Sequence, residues 1–389
     1  MATLSSRPPE ATFSQWVRQA IRRNRSCREL QVNLFESSVA EPTELLRSQI
    51  IEAFGGEITT RYTSTFDGGN PYVVKHLAKG YGVSEDQLYT TTGATGAIAL
   101  IYHALVRPGE RVLVENPGFD LFGNLAHAFG IPFDRFQRSG PGFAIDIDAL
   151  ERSIGPATRL VVISNLHNPT GVLTGEDTIR ALAALAEKHD LYVVVDEVYA
   201  PYAGNNLRPA ASLGISPRLI SVNSLTKIFG LSTLRCGWLI GDSETIAPIK
   251  AFGHESEFTI SNLSHAIAAL IMENPDPFMQ HTMDTLAQAR PVMESYYAHW
   301  RDEGFIEGDL PEFGCIAFPR LTGIADTRRF SDWLADRSGV LVAPGECFGA
   351  PGYVRLGFAM DRKRLVYGLD ALTDGLKSYR AAPLSRDGA

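Results

Sequence analysis

The 389-residue sequence lacks the features that mark several common classes of protein. Cysteine is scarce, and its spacing fits neither a zinc site nor a disulfide framework, so we expect reduced thiols and no bound metal. There is no run of about 18 apolar residues, and the N-terminal stretch lacks the apolar core of a signal peptide. We therefore expect a cytoplasmic protein that does not bind membranes. The cysteines are Cys27, Cys236, Cys315 and Cys347.

An excess of basic charge is also absent, because 36 lysines and arginines stand against 44 acidic residues and the net charge is −8. Nucleic-acid-binding proteins ordinarily carry a clustered basic surface, so nucleic acid is not an expected partner. One basic run, 18–25, follows Trp16. It could contact a membrane or polyanion, but the solvated face of an N-terminal helix at 13–23 is the favoured interpretation.

Patterns typical of strands and helices alternate through the middle of the chain. This alternation predicts an α/β fold with right-handed crossovers and a mostly parallel sheet sandwiched by helices. Strand patterns occur at 111–114, 160–164, 192–195 and 219–222, with helix patterns at 96–105 and 177–189 between them.

The last hundred or so residues have a different pattern, which predicts a smaller α+β domain. A long helix pattern is followed by short strand patterns and a closing helix pattern. We expect three parts: an N-terminal arm with part of the small domain at 1–44, a large domain at 45–280 and the C-terminal small domain at 281–389. The patterns lie at 277–304, 315–319, 353–358 and 362–379.

Lys227 follows one of the strand patterns, with Ser224 before it and Arg235 after it. A lysine in a cleft can lose its proton through desolvation and attack a carbonyl group. The flanking hydroxyl and guanidinium groups suit a phosphate dianion. Taken alone, however, a lysine after a strand is ordinarily a surface residue.

Three other segments place small or polar residues at the ends of strand patterns. Asp196 ends a β-branched run; a protonated pyridine nitrogen would suit a buried carboxylate, but a salt bridge or helix cap is an equal alternative. Asn168 opens an Asn-Pro-Thr-Gly turn, which is also ordinary loop chemistry and permits a cis peptide before Pro169. Gly93 begins a helix whose amides could face an anion, although many such starts are only tight turns.

In this order and spacing, the four segments resemble the aminotransferase class I/II family, which are fold-type I enzymes that use pyridoxal 5′-phosphate (PLP). The resemblance covers essentially the whole chain from about residue 30 onward. It implies a large domain with a mostly parallel sheet and a smaller α+β domain. The matching motifs are Ser224–Lys227–Arg235, Asn168 with its turn, Asp196 with Tyr199, 344–349 and 355–359.

The resemblance implies a role for each matching residue. Lys227 would form an internal aldimine with PLP and then carry a proton between the substrate Cα and the cofactor. Asp196 would pair with the pyridine nitrogen, and Asn168 and Tyr199 would bind the phenolic oxygen. The phosphate ligands would be Gly93, Ala94, Thr95, Ser224 and Arg235.

Two further positions match family positions that contact the ring or the substrate. Phe119 would stack on the pyridine ring, the alternative being an ordinary core phenylalanine. Arg355 would bind the substrate α-carboxylate, the alternative being a surface ion pair. Asn168 would also lie beside the substrate.

The sequence departs from the family at two places. The family usually has a tyrosine that reaches the phosphate of the partner subunit; Ser64 occupies that position, and Tyr62 is our candidate to replace it. A glycine-rich segment that closes over the substrate is replaced by 33–39, which puts Glu36 or Ser38 where the substrate is selected. An acidic residue there would favour a substrate with a cationic or polar side chain.

The leading function is transfer of an amino group from an L-amino acid to a 2-oxo acid, in a homodimer with shared active sites. A PLP-dependent lyase or synthase that works by elimination or cyclisation, or a racemase, is the alternative on the same scaffold. A PLP-sensing regulator is not expected, because the stretch before the fold is too short for a DNA-binding module. The sequence identifies neither the amino donor nor the acceptor.

Overall fold

The computed structural model describes residues 12–26, 31–256 and 260–381. The α-helices are α1 Phe13–Ser26, α2 Thr43–Phe54, α3 Pro71–Tyr81, α4 Gly93–Leu105, α5 Leu121–Ala128, α6 Ile147–Arg152, α7 Glu176–Lys188, α8 Ser243–Ser256, α9 Asn262–Glu273, α10 Asp276–Asp302, α11 Thr327–Ser338 and α12 Arg362–Ala381. The β-strands are β1 Val32–Asn33, β2 Leu88–Thr92, β3 Arg111–Asn116, β4 Phe133–Gln137, β5 Thr158–Ser164, β6 Tyr192–Asp196, β7 Leu219–Ser224, β8 Cys236–Ile240, β9 Ile306–Glu307, β10 Ile316–Ala317, β11 Arg320–Leu321, β12 Val340–Leu341, β13 Ala343–Pro344 and β14 Val354–Gly357.

A seven-stranded sheet forms the centre of the large domain, in the order β2-β8-β7-β6-β5-β3-β4. Strands β3 to β7 run parallel, and β8 is antiparallel to both of its neighbours, β2 and β7. The predicted mostly parallel sheet is therefore confirmed. Because neighbouring parallel strands end at the same edge, the loops after β5, β6 and β7 lie together.

Alternate residues of each central strand pack against helices on opposite faces of the sheet. In β6, Val194 joins the core beneath α4, α5 and α8, whereas Val193 and Val195 join the core beneath α6 and α7. All three valines are almost fully buried. Burial of both faces explains why β6 is an uninterrupted apolar run in the sequence rather than an alternating pattern.

The small domain combines α10, α11 and α12 with short strands, as the pattern of the last hundred or so residues predicts. Its core also contains Val32 and Leu34 from the N-terminal region, because β1 pairs in parallel with β12. The predicted strands here are too long: β10 consists of only two residues, where a five-residue strand is expected at 315–319.

Helix α10 connects the two domains without a break. Its first turns contribute Phe278 to the core of the large domain, and its last turns contribute Tyr297 and Trp300 to the core of the small domain. At about 1.5 Å per residue, its 27 residues span about 40 Å. The expected boundary at residue 280 therefore falls inside a helix rather than in a linker, and it stays a prediction.

Helix α1 packs against the small domain and is not a detached arm. Trp16 and Ala20 are buried, whereas Arg18 and Arg22 are exposed to solvent, as expected for a solvated basic face. Cys27 lies outside the described residues, and the other three cysteines are buried free thiols. Over the described ranges, no helix combines the length and apolar character needed to cross a bilayer.

Candidate active site

Six residues singled out from the sequence line one cavity at the edge where β5, β6 and β7 end. The structure thus brings together side chains that are far apart in the chain, because neighbouring parallel strands deliver their following loops to the same place. The six are Phe119, Asn168, Asp196, Tyr199, Lys227 and Arg355, and the remaining wall residues are Phe13, Ser37, Ser164 and Val198.

Lys227 extends into this cavity from the loop after β7. Its Nζ donates a hydrogen bond to Ser37 Oγ at 3.0 Å and lies 5.6 Å from the centre of the Tyr199 ring. The backbone of Lys227 is fixed as well, since its carbonyl accepts a hydrogen bond from Tyr202 Oη at 2.7 Å. Both the amine and the backbone of Lys227 are therefore anchored by hydrogen bonds.

Asp196 is the last residue of β6, and its carboxyl group is buried. Burial raises its pKa to about 6, although the Val198 N–H and the charge of Lys227 both act to lower the pKa. The one hydrogen bond to its carboxylate comes from Val198 N at 3.2 Å, counting only the part of the chain that the structure describes. A cationic donor in the cavity would thus complete its bonding.

The hydroxyl group of Tyr199 is buried and has no hydrogen-bond partner among the described residues. Its ring stacks on Tyr202, with centroids 6.3 Å apart. A buried hydroxyl without a partner is costly, so an acceptor or donor from a bound molecule is expected at this point.

Arg355 also lines this cavity and is 1% exposed. Its Nη1 donates to Asn168 Oδ1 at 2.9 Å and its Nη2 donates to the Phe35 carbonyl at 3.0 Å, while Nε has no partner in the described ranges. Burial lowers the pKa of this guanidinium, which nevertheless remains charged at neutral pH. The placement argues against the alternative of a surface ion pair.

Two phenylalanine rings cover the guanidinium of Arg355. Its Cζ atom lies 4.7 Å from the centre of the Phe13 ring and 4.8 Å from that of Phe348. The Phe13 ring also packs edge-on against Phe119, with ring centroids 6.1 Å apart. The backbone N–H of Phe13 donates a hydrogen bond to Asp120 Oδ2 at 2.7 Å. Helix α1 therefore begins directly over the site, which nothing in the pattern of the N-terminal arm predicts.

The residues expected to bind phosphate meet at the start of α4. Thr92 and Cys236 are opposite each other in the β2–β8 pair, which places Gly93 beside Arg235; Arg235 Nη2 donates to the Thr92 carbonyl at 3.2 Å. Gly93 has a φ of +74°, and a Cβ there would lie 2.6 Å from Arg235 Nη2, so only glycine fits without movement. Ser224 is close by, because β7 pairs with β8, and Ala94 and Thr95 are half-buried in the first turn of α4.

The 33–39 segment reaches the cavity through Ser37 and not through Glu36 or Ser38. Ser37 is 8% exposed and contacts Lys227, whereas Glu36 and Ser38 line a neighbouring pocket with Glu41 and Arg364. The prediction missed Ser37, because an irregular loop has no period from which the direction of a side chain can be deduced, and the role of the segment in substrate selection stays a prediction.

Two more expectations concern Tyr62 and the turn at Asn168; the role of Tyr62 toward a partner subunit stays a prediction. Tyr62 lies outside the cavity: it is 46% exposed and lines a surface pocket with Phe66 and Leu263. The cis peptide that the Asn168–Pro169 step permits is not found there; the cis bonds of the described chain are Asn116–Pro117 and Asn165–Leu166.

Comparison with known proteins identifies the family. The model for aminotransferase class I and II matches residues 40–372. The chain is 30% identical to a protein named a probable N-succinyldiaminopimelate aminotransferase of Mycobacterium tuberculosis, over 69% of this chain and 68% of that one. It is also 30% identical to capreomycidine synthase of Streptomyces vinaceus, over 75% and 74% of the two chains.

A solved structure shows the same architecture. A PLP-dependent aminotransferase from Streptococcus suis superposes with a TM-score of 0.83 at 22% identity, covering 95% of this chain and 98% of the other. The fold is therefore that of the fold-type I enzymes. Together with the match over most of its length, this shows that the chain belongs to the class I and II aminotransferases, a family of PLP-dependent enzymes.

Proposed function

We propose that this protein transfers an amino group from an L-amino acid to a 2-oxo acid, with PLP attached through Lys227. The observation that carries the proposal is the meeting of an amine, a buried carboxyl and a buried guanidinium on one cavity. These are the groups needed to attach the cofactor, to hold its ring nitrogen and to bind a substrate carboxylate.

Polar groups in the cavity lack hydrogen-bond partners that PLP would supply. The phenolic oxygen of the cofactor would supply a partner for Tyr199 Oη, and a protonated ring nitrogen would supply one for Asp196. Gly93 leaves open the space beside Arg235 that a side chain would fill, and with Ala94, Thr95 and Ser224 it forms the proposed phosphate site. When bound, PLP draws electrons from the Cα of the amino acid and so weakens its bonds.

The protein residues then direct which bond breaks. Lys227 Nζ would accept the proton from the substrate Cα and then donate it to the cofactor. Phe119 would hold the ring from one side, and Asp196 would keep the ring nitrogen protonated. Ser37, which bonds Nζ at 3.0 Å, is positioned to orient the amine between these steps.

Arg355 is the proposed ligand of the substrate α-carboxylate. It is oriented by Asn168 and Phe35, and its unpartnered Nε is available for a further acceptor. Phe13 and Phe119 would exclude water from this end of the site, which strengthens the ion pair with the carboxylate. Glu36 and Ser38 retain a proposed role only in the adjoining pocket, where a cationic or polar substrate side chain could reach them.

An elimination or cyclisation reaction is the second candidate function. It is favoured by one observation, the 30% identity to capreomycidine synthase, which equals the identity to the N-succinyldiaminopimelate aminotransferase. Lys227, Asp196 and Arg355 would serve either reaction, because substrate orientation decides which Cα bond breaks.

We also propose that the protein is a homodimer whose active sites are shared. Large apolar side chains are exposed around the surface pocket that contains Tyr62, including Phe66 at 74% and Leu263 at 51%. A partner subunit on this face would bury them and would bring Tyr62 to its phosphate site. A cytoplasmic location is proposed on the basis of the three free buried thiols.

The test is to load the purified protein with PLP, reduce it with borohydride and locate the modified peptide by mass spectrometry. Modification at Lys227, its loss in Lys227→Ala, and its retention in the surface control Lys188→Ala are expected. With acidic, basic and apolar amino donors, a 2-oxo acid product indicates transamination, whereas ammonia or a ring product indicates the second candidate. Running Glu36→Ala on the same donors tests the adjoining pocket, because an unchanged donor profile would remove Glu36 from substrate selection.

A further inference from the structure

A fully buried ion pair lies behind the active site, outside the cavity wall. Glu115 is 3% exposed and Arg138 is 4% exposed, and Arg138 Nη1 donates to Glu115 Oε2 at 2.7 Å. The remaining nitrogens of Arg138 are also bonded, Nε to the Phe143 carbonyl at 2.6 Å and Nη2 to Thr174 Oγ1 at 3.1 Å. Burying two charges is costly, so a pair this complete calls for a reason beyond stability.

The second oxygen of Glu115 points toward the active site. Glu115 Oε1 accepts hydrogen bonds from Ser164 N at 2.8 Å and from Ser164 Oγ at 2.5 Å. Burial raises the pKa of Glu115 to about 7 while Arg138 and Ser164 act to lower it, and the ionised carboxylate is the form that accepts from all three donors. The Ser164 hydroxyl must then donate to Glu115, which leaves its own oxygen free to accept.

That oxygen accepts from the turn that contains Asn168. Asn168 N donates to Ser164 Oγ at 2.9 Å, and the side chain of the same asparagine accepts from Arg355 Nη1 at 2.9 Å. A continuous series of hydrogen bonds thus runs from Arg138 through Glu115, Ser164 and Asn168 to Arg355.

His167 connects the same turn to the loop that carries Phe119. Its Nε2 lies 2.9 Å from the Pro117 carbonyl and its Nδ1 lies 2.7 Å from Thr170 Oγ1. A carbonyl only accepts, so Nε2 carries the proton and Nδ1 accepts from the threonine. Burial, together with the charge of Arg138, lowers the pKa of His167 well below its usual value, so the ring is neutral.

We propose that Glu115 and Arg138 are positioning residues that fix Asn168, and through it Arg355, in the orientation that binds the substrate carboxylate. The proposal rests on the function given above for Arg355. Neither residue lines the cavity, so neither touches the substrate or the cofactor. Their contribution is to direct the Ser164 hydroxyl, on which the position of the Asn168 turn depends.

Two variants separate positioning from simple stabilisation. Glu115→Gln replaces an acceptor with an amide that cannot satisfy both Arg138 and Ser164. Glu115→Met combined with Arg138→Met removes both charges and fills the space with apolar atoms, a replacement that often preserves stability. Ser331→Ala is the control, because it removes a buried hydroxyl that donates to the Val342 carbonyl in the small domain, away from the series.

Amide hydrogen exchange of residues 165–171 is measured first, in the cofactor-free protein. We expect exchange in this segment to rise about tenfold in both variants, relative to the strands of the large sheet, and not in Ser331→Ala. With PLP and an amino donor, KM is expected to rise about tenfold while kcat changes less than about threefold.

Exchange that rises uniformly over the large domain, or an unchanged KM in both variants, would overturn the positioning role. Failure of the proposed function is distinguishable, because it appears in the unsubstituted protein as the absence of a 2-oxo acid product. The exchange measurement decides the connection between Glu115 and the Asn168 turn in either case.

Discussion

At the scale of single residues, the buried carboxyl group of Asp196 affects the stability of the cofactor-free protein. The carboxyl group is buried beside one N–H donor, and this burial raises its pKa from 3.8 to about 6. A folded-state pKa above the unfolded one means that the stabilising contribution is complete below about pH 4 and is lost as the pH rises through about 6. The difference of roughly two pKa units corresponds to about 3 kcal/mol.

We therefore predict that Asp196→Asn changes the pH dependence of stability in the cofactor-free protein. Between pH 5 and pH 7.5, the stability of the variant relative to the unsubstituted protein should rise by about 1.4 kcal/mol, as measured by urea unfolding. Glu115 titrates in both proteins and cancels in this comparison, whereas Glu197 shifts slightly, because the charge of Asp196 is a minor cause of its raised pKa. Asp148→Asn, at an exposed position of α6, controls for the loss of one negative charge, and parallel curves for Asp196→Asn would contradict the raised pKa.

Residue chemistry could be predicted from the sequence where a motif constrained it. Strand ends indicate Lys227 and Asp196, the family resemblance indicates Arg355, and the structure places all three on one cavity. Phe13 and Glu115 could not be chosen in the same way. The position of Phe13 depends on how α1 packs, and Glu115 is one polar residue in a strand until its partner Arg138, 23 positions away, is seen beside it.

At the scale of elements, the start of α4 is the most demanding local structure in the site. Gly93 has positive φ, its neighbour Arg235 also has positive φ at 48°, and the two are in close contact. For residues other than glycine, this backbone conformation costs about 1–2 kcal/mol. The helix therefore begins where it does because glycine allows the turn from β2 into α4.

We predict that Gly93→Ala weakens PLP binding by about tenfold to a hundredfold, through strain at positive φ and displacement of Arg235. Titration of the cofactor-free protein with PLP, followed by its absorbance, measures this. The matched control is Gly80→Ala in α3, where a Cβ meets no atom within 4 Å. It should raise stability by up to about 1 kcal/mol and leave PLP affinity unchanged. Equal PLP affinity for both variants would contradict the assignment of the α4 start to phosphate binding.

The existence and type of the long elements could be predicted, but the ends of the strands could not. Strand β7 extends two residues past the predicted end to Ser224, and β3 extends to Asn116. In both cases a polar residue stays in the ladder because its neighbours in the sheet supply backbone partners. In these two strands the apolar pattern ends earlier than the strand, so it underestimates their length; the end of β5 at Ser164 agrees with its pattern.

At the scale of the whole molecule, large apolar side chains near Tyr62 are exposed to solvent in the single chain. Phe66 and Leu263 lie on the same surface pocket, and Ile58 in the same loop region is 63% exposed. Large apolar side chains gathered at one place mark an interface more often than a free surface. A second copy of the chain is the partner that we propose for this surface.

We predict a mass of twice 42.5 kDa for the unsubstituted protein by light scattering, and a monomer for Phe66→Asp combined with Leu263→Asp. PLP affinity should fall in the monomer if Tyr62 completes the site of the partner. Tyr367→Asp, at an exposed position of α12, serves as the control and should remain a dimer. A monomeric unsubstituted protein would contradict the shared site.

The fold class, the family and the cofactor could be predicted from the sequence and are confirmed. The alternation of strands and helices and the family motifs are local patterns, so a single sequence is enough to recognise them. The boundary between the two domains could not be located from local patterns in the same way. The reason is physical: α10 belongs to both cores, so no linker exists near residue 280 for a composition pattern to reveal.

The pairing of β1 with β12 has a consequence for the order in which the chain folds. Val32 leaves the ribosome early, but its partner Val340 is synthesised about 300 residues later, so the small domain stays incomplete during most of translation. A fragment that contains only residues 281–389 would lack both this strand and the first turn of α10. The part of the cavity wall that contains Arg355 is therefore among the last parts of the molecule to be assembled.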